Sequence, residues 1–315
     1  MDEILFKILQ KYKIEFESVG QAQKGYRNSS YLVTCKNGEL INLIIYKREP
    51  GILQKIKSAN KVSLEMHKAG LPVRYPIGKI LRLTENYYAC IYNYLPGSTI
   101  PWESYSMDHL KLLGQYLNKI HFHGKNMPSQ NVVKEAEVLK VILSRVENYF
   151  KNDNVKVALK NKLNIEINFD NFLKQSEKII NDVESSNKST ILHMDFVRGN
   201  ILFEENPELH ISGIIDFEKT SIGSPLFDLA RTLAFLIVDC KYKSEDKIRK
   251  YFLKSGYIKR GDLKLESYKW LNKLVVIYLI YDFYKFLKHN PYEFLNQNQH
   301  FVRTVNALKS SKLLL

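Results

Sequence analysis

The sequence predicts an α+β chain in two lobes, a small and mostly antiparallel sheet followed by a mainly helical region. Three observations carry that expectation. Residues 1–95 contain two hairpin signals separated by one helical stretch. The tetrapeptide Leu95-Pro96-Gly97-Ser98 then interrupts both periodicities, and from Met107 onward the apolar spacing is chiefly helical. The expected division is therefore residues 1–95 and 96–315.

The elements follow in order. Residues 1–12 form an amphipathic helix with Ile4, Leu5, Ile8 and Leu9 on one face. Residues 13–19 alternate like a strand, and 20–29 read as a polar loop. Strands at 31–34 and 40–46 flank Lys36-Asn37-Gly38-Glu39, where Asn-Gly suits the positive-φ positions of a tight hairpin. Residues 52–68 have helical spacing, stopped by Ala69-Gly70-Leu71-Pro72. A second hairpin is expected from 77–83 and 87–94 around Thr84-Glu85-Asn86. Helices are then expected over 107–123, about 131–162 and about 168–185. After a stretch of short strands come helices at 226–238, 244–255, 265–288 and roughly 299–312.

Composition narrows the function classes. The chain of 315 residues, 45% hydrophobic and 25% charged, is ordinary for a globular protein. It opens without the basic, apolar pattern of a signal peptide, and no apolar run approaches the ~18 residues of a membrane span. Cys35, Cys90 and Cys240 have neither disulfide nor metal spacing, so a reduced, cytoplasmic protein is expected. The net charge of +14 concentrates beyond residue 240, with 16 Lys and Arg against 6 Asp and Glu. These lysines come singly rather than in dense blocks, which argues for solvated helix faces and against nucleic acid as a partner.

The chemistry is concentrated in two short segments. His193-Met194-Asp195-Phe196-Val197-Arg198-Gly199-Asn200 lies between the strand-like runs Ile191-Leu192 and Ile201-Leu202-Phe203, and Ile214-Ile215-Asp216-Phe217-Glu218 follows. Phosphoryl transfer needs such a set: one carboxylate to take the proton of an attacking hydroxyl, and an amide with a second carboxylate to hold magnesium against phosphates.

With Gly223-Ser224-Pro225-Leu226-Phe227-Asp228-Leu229-Ala230 downstream, the chain resembles the aminoglycoside phosphotransferase and choline kinase family, small-molecule kinases of the protein-kinase-like fold. Ser224 stands where an Asp is usual. The resemblance implies Asp195 as the base, Asn200 and Asp216 as magnesium ligands, and Asp228 as a brace for the loop. It also implies ATP or GTP as donor and a small molecule bearing a hydroxyl as acceptor: an amino alcohol, a sugar, a homoserine-like compound or an antibiotic. The first lobe would hold the nucleotide and the second the acceptor. His193 is expected to pack beneath the loop, bonded to a backbone carbonyl. Glu218 is expected either to support the metal or to face solvent, and Arg198 either to touch a phosphate or acidic substrate or to point outward. Asp282, an acid in an aromatic helix, would meet a substrate amine or simply be satisfied within its helix. The chain lacks the Ala-Pro-Glu segment of a peptide-binding protein kinase.

The nucleotide end departs from the family. Gly25 and Ser29 in the loop, with Tyr92 and Tyr94 at the linker, are candidate nucleotide contacts. The family places a basic residue on its third strand, and Ile44 occupies that position here. Alternation puts Asn42, Ile44, Tyr46 and Arg48 on one face and Lys47 on the other. The acidic partner expected in the following helix falls at Ala59 or Asn60. Lys47, Arg48 or Arg74 would then have to reach the phosphates by another route. The alternative is a pseudokinase that binds nucleotide or scaffolds without turnover.

Overall fold

A computed structural model describes residues 2–24, 28–47, 49–85, 87–127, 132–164, 169–186, 188–240, 242–258 and 267–310. In chain order the elements are α1 (Asp2–Lys11), β1 (Phe16–Val19), β2 (Gln23–Lys24), β3 (Asn28–Cys35), β4 (Leu40–Lys47), α2 (Ile52–Lys68), β5 (Leu81–Arg82), β6 (Tyr87–Asn93), α3 (Met107–Gly124), α4 (Glu135–Phe150), α5 (Asp153–Ala158) and α6 (Phe169–Ser186). They continue as β7 (Thr190–Leu192), β8 (Ile201–Glu204), β9 (His210–Ile214), β10 (Ser221–Gly223), α7 (Pro225–Asp239), α8 (Glu245–Ile248), α9 (Tyr268–His289), α10 (Tyr292–Leu295) and α11 (Gln299–Ser310). The chain is a mixed α+β fold in two compact units: Met1–Thr99 with Gly199–Lys219, and Ile100–Arg198 with Thr220–Leu315.

The first unit carries an antiparallel sheet in the order β1-β3-β4-β6-β5, with β2 alongside β3. Period-2 alternation in β4 gives the sheet two apolar faces. Ile41 and Leu43 pack with Leu5, Ile8 and Leu9 of α1. Ile44 and Tyr46 pack with Ile52 and Ile56 of α2. Gly38 takes φ 81 in the β3–β4 turn, as the Asn-Gly signal required. The strand expected at 77–83 shrinks to Leu81–Arg82, while Ile77 keeps a single backbone bond to β6, its N–H donating to Ile91 O at 3.0 Å.

The β8–β9 hairpin also belongs to this unit, so the division is not the single cut expected at residue 95. Backbone hydrogen bonds bring it there. Ser98 N–H donates to Phe203 O at 3.1 Å and Ile214 N–H donates to Pro72 O at 2.8 Å. Gly97 (φ 91) makes the approach possible, since a Cβ on it would lie 2.2 Å from Ser212 Oγ.

The second unit is helical apart from the β7–β10 pair. Its core runs along α9, where Val275 to Ile280 are buried without interruption because helices cover it from several sides. The single helix expected over about 131–162 breaks after Phe150, where the Asn152 side chain accepts the Asn154 N–H at 2.9 Å and starts α5 afresh. α3 packs against the π-helical stretch Arg249–Tyr257 at backbone range: a Cβ on Gly114 would stand 2.1 Å from Phe252 O. Among the described residues no helix is long and apolar enough to cross a membrane.

Candidate active site

In the helical unit, β7 ends at Leu192 and the chain turns sharply through His193, Met194 and Asp195. Met194 adopts φ 61, a left-handed conformation uncommon for a side chain of its size. One carboxylate holds it there. Asp228, in the first turn of α7, accepts the His193 N–H at 2.6 Å on Oδ2 and the Met194 N–H at 3.0 Å on Oδ1. His121 Nε2 lies 3.1 Å from the same Oδ2, and its Nδ1 meets the Tyr257 hydroxyl at 2.7 Å. That chain is satisfied when Nε2 carries the proton. Asp228 and His193 are fully buried. The family's usual Asp is Ser224 here, and it still caps α7: Oγ accepts the Leu226 N–H at 3.3 Å, with Pro225 in the first turn.

Asp195 is 9% exposed. Its N–H donates to His193 Nδ1 at 3.2 Å and its carbonyl accepts the Val197 N–H at 2.8 Å, so the backbone on both sides is fixed. His193 thus sits beneath the loop, receiving a backbone N–H. Arg198 is exposed and helps line a cavity of about 290 Å³ with Trp102, Glu103, Val238, Asp239 and His300.

Asp282 has company already. Arg231 Nη1 lies 3.0 Å and Lys285 Nζ 2.7 Å from its oxygens. Burial works to raise its carboxyl, but the two cations outweigh it and hold the group below the ordinary carboxylate range. A substrate amine would have to displace an existing cation. Glu135 is the reverse case: burial pushes its carboxyl up to about 7, partly offset by hydrogen bonds from Ser221 at 2.8 Å and Tyr278 at 3.2 Å.

In the sheet-bearing unit, Asn200 and Asp216 come together through the end of the β8–β9 ladder, where Asn200 O accepts the Ile215 N–H at 2.9 Å. Asp216 has φ 65, the second strained turn of the motif, and its Oδ1 faces the Glu218 N–H at 3.4 Å. Glu218 is half-buried, and its Oε1 accepts Asn28 Nδ2 at 3.1 Å. Asn28 Oδ1 is buried without a hydrogen-bond partner among the described residues. Asn200, Asp216 and Glu218 carry hard oxygens of the kind magnesium takes, and Asn28, bonded to Glu218, adds an unpartnered amide oxygen. No three His, Cys, Asp or Glu side chains converge as a metal cage among the described residues.

Of the expected nucleotide contacts, Gly25 lies outside the described residues. Ser29 sits on β3 opposite Ile45. Lys47 is exposed at the end of β4, and the β3–β4 and β4–β6 ladders run without a bulge, so it stays off the face shared by Ile44 and Tyr46. Tyr94 is 37% exposed, whereas Tyr92 is buried, its hydroxyl 2.8 Å from that of Tyr46 and donating to Asn60 Oδ1 at 2.9 Å. Sequence reasoning missed Asn28, placed in a loop although it begins β3, and His121, which lies 107 positions from its partner Asp228. No local pattern announces either.

The model of the phosphotransferase enzyme family, APH, matches residues 18–240. No curated protein matches the chain. Among solved structures, an amicoumacin kinase in complex with AMP-PNP, Ca2+ and Ami superposes with a TM-score of 0.75 at 12% identity, over 98% of this chain and 94% of its own. The GDP and kanamycin complex of APH(2")-IIia gives 0.64 at 16% identity, covering 98% of each chain. A microcompartment-associated aminopropanol kinase gives 0.64 at 12%, over 98% of this chain and 95% of that one. At these identities the likeness is one of fold.

Proposed function

Since the chain belongs to the phosphotransferase enzyme family, an enzyme family of small-molecule kinases with a protein-kinase-like fold, we propose that it moves the γ-phosphate of ATP or GTP to a hydroxyl of a small molecule. The observation that carries this reading is the doubly bonded turn: Asp228 fixes His193 and Met194, and with them the backbone of Asp195. Asp195 accepts the proton of the acceptor hydroxyl, and its fixed backbone keeps the carboxylate at a defined angle to that hydroxyl. Orientation of this kind supplies much of the rate in a reaction with little covalent chemistry for the protein to perform.

Asn200 and Asp216 hold magnesium, with Glu218 and Asn28 completing the polar surround. When bound, the ion neutralises charge building on the transferred phosphoryl group. The cavity beside Arg198, which sets acidic Glu103 and Asp239 and amide and imidazole groups against Trp102 and Val238, supports a small acceptor with both polar and apolar parts. The test is a screen of hydroxylated metabolites and antibiotics for nucleotide consumption, repeated with Asp195→Ala. Turnover that survives the substitution sinks the mechanism.

Ile44, standing where the family has a cation, and Ala59 or Asn60, where its acidic partner is expected, favour one rival, a nucleotide-binding protein without turnover. Thermal shifts with Mg-ATP, together with a turnover measurement, separate the two: stabilisation without consumption of ATP by any acceptor selects the rival.

A further inference from the structure

A triphosphate carries several negative charges, and the β4 position that meets them in the family is an isoleucine. Ile44 is buried at 3% exposure beneath α2, among Tyr46, Tyr88, Cys90 and Tyr92. The polar contacts around it are neutral. Tyr46 and Tyr92 share a hydrogen bond of 2.8 Å, Tyr92 donates to Asn60 Oδ1 at 2.9 Å, and Asn60 Nδ2 lies 3.6 Å from Cys90 Sγ. Asn60, one of the two positions where the acid is expected, thus brings an amide to this network. A lysine at position 44 would have no carboxylate there to meet, and its removal together with the acid leaves a satisfied neutral network.

A cation does reach this network, from a different part of the chain. The Arg74 guanidinium lies 5.4 Å from the centroid of the Tyr92 ring. The side chain is half-buried, and none of the ion pairs among the described residues involves it. Its charge acts on the Tyr46 and Tyr92 hydroxyls, and Glu218 acts on the same Tyr46 hydroxyl, so Arg74 and the Asp216–Glu218 segment address one small region. The backbone fixes that proximity. Arg74 N–H donates to Ile214 O at 3.0 Å, and Ile214 N–H donates to Pro72 O at 2.8 Å, which ties residues 72–74 to the strand that ends two positions before Asp216.

We propose that Arg74 is the phosphate-binding cation of this chain, gripping the nucleotide from the segment after α2 in place of a β4 side chain. The inference rests on the phosphotransferase reading. A guanidinium presents a planar fork of donors that matches two phosphate oxygens at once, and the ring of Tyr92 lies against it at 5.4 Å. Hydroxyl, amide and thiol groups surround it, and among the described residues no carboxylate closes an ion pair with Arg74, so an arriving anion would meet its guanidinium directly. The half-buried setting strengthens the contact that then forms.

Calorimetric titration of Mg-ATP and of adenosine into the wild type, Arg74→Gln, Arg74→Lys and Lys47→Gln tests this without any acceptor. Losing a charge-assisted pair of hydrogen bonds lowers affinity roughly ten- to hundredfold, so Arg74→Gln loses that much for Mg-ATP and keeps its adenosine affinity, while Arg74→Lys falls in between. Three outcomes overturn the proposal: Arg74→Gln binding Mg-ATP as the wild type does, Arg74→Gln losing adenosine and Mg-ATP equally, or Lys47→Gln taking the loss instead. A wild type that binds no Mg-ATP overturns the phosphotransferase reading and this inference together. If the Arg74 pattern holds but no acceptor is ever phosphorylated, the inference stands and only the transfer reaction fails.

Discussion

The two units bury polar groups by opposite chemistry. In the helical unit the interior positions are titratable: Asp228 faces His121, Asp282 faces Arg231, and Glu135 lies buried under Ser221 and Tyr278. In the sheet-bearing unit the comparable positions beneath α2 are two tyrosine hydroxyls, an amide and a thiol, with one arginine at their edge. An interior ion is expensive unless it fixes something, because its desolvation has to be offset by a geometry that uses it. The helical unit spends that cost on holding a strained turn. The sheet-bearing unit keeps its interior neutral, which leaves Arg74 available to a ligand.

The hardest way to break this contrast is at Asp195. Asp195→Ala removes the proposed proton acceptor from a turn whose backbone Asp228 continues to hold. Turnover should fall roughly a hundred- to ten-thousandfold with little change in melting temperature. A variant that melts far below the wild type would mean that Asp195 supports the loop as much as it serves the reaction.

Asp228→Ala attacks the support directly. It strands two buried N–H groups and His121 at once, and loss of one partner from a buried charged network costs about 3–5 kcal/mol. Denaturant unfolding should register that drop. Asp228→Asn, which keeps one good acceptor, should recover part of it. Equal losses in the two variants would show that charge, and not acceptor count, holds Met194 at its positive φ.

These two residues also mark how far the sequence could be read. Asp195, Asn200, Asp216 and Asp228 fall within a stretch of 34 positions, where spacing alone groups them. Yet the strands on either side of the first loop belong to different pairs, β7 with β10 and β8 with β9, and to different units. Nothing in Ile191-Leu192 or Ile201-Leu202-Phe203 distinguishes them, since both are short apolar runs. The face carrying Ile44 and Tyr46 was legible from alternation, and Ile44 as an anomaly with it. Arg74 stood in the sequence only as one of three candidate cations, because its approach to Tyr92 depends on residues 72–74 pairing with β9 far downstream. His121 and Asn28 were illegible for the same reason: each acquires its role from a partner more than a hundred positions away.

Glu135 tests the titratable interior through pH. Its carboxyl has an ordinary value of 4.5 in the unfolded chain and about 7 in the folded protein, where burial favours the neutral form. The folded state therefore binds the extra proton between those limits. Stability from this group is fully present below pH 4.5 and is lost as pH rises through 7, by an amount on the order of 3 kcal/mol. Glu135→Gln removes the titration, so its melting temperature should gain on the wild type as pH is raised from 5 to 8. Parallel curves would mean that Ser221 and Tyr278 satisfy the carboxylate fully.

The smallest effect belongs to the neutral network, and it is the one that most sharpens the contrast. Tyr46→Phe deletes a buried hydroxyl whose partner, Tyr92, still donates to Asn60. With nothing left orphaned, the cost should be about 1 kcal/mol, the net worth of one neutral hydrogen bond. Tyr92→Phe, by contrast, strands Asn60 Oδ1 and the Tyr46 hydroxyl together, and should cost more. If these hydroxyls only seat Arg74 and do not themselves meet phosphate, neither change should approach the loss of Mg-ATP affinity expected for Arg74→Gln. A Tyr46→Phe variant that loses nucleotide as severely as Arg74→Gln would make the tyrosines ligands in their own right. The sheet-bearing unit would then keep its interior neutral to bind the nucleotide and not merely to spare a cation.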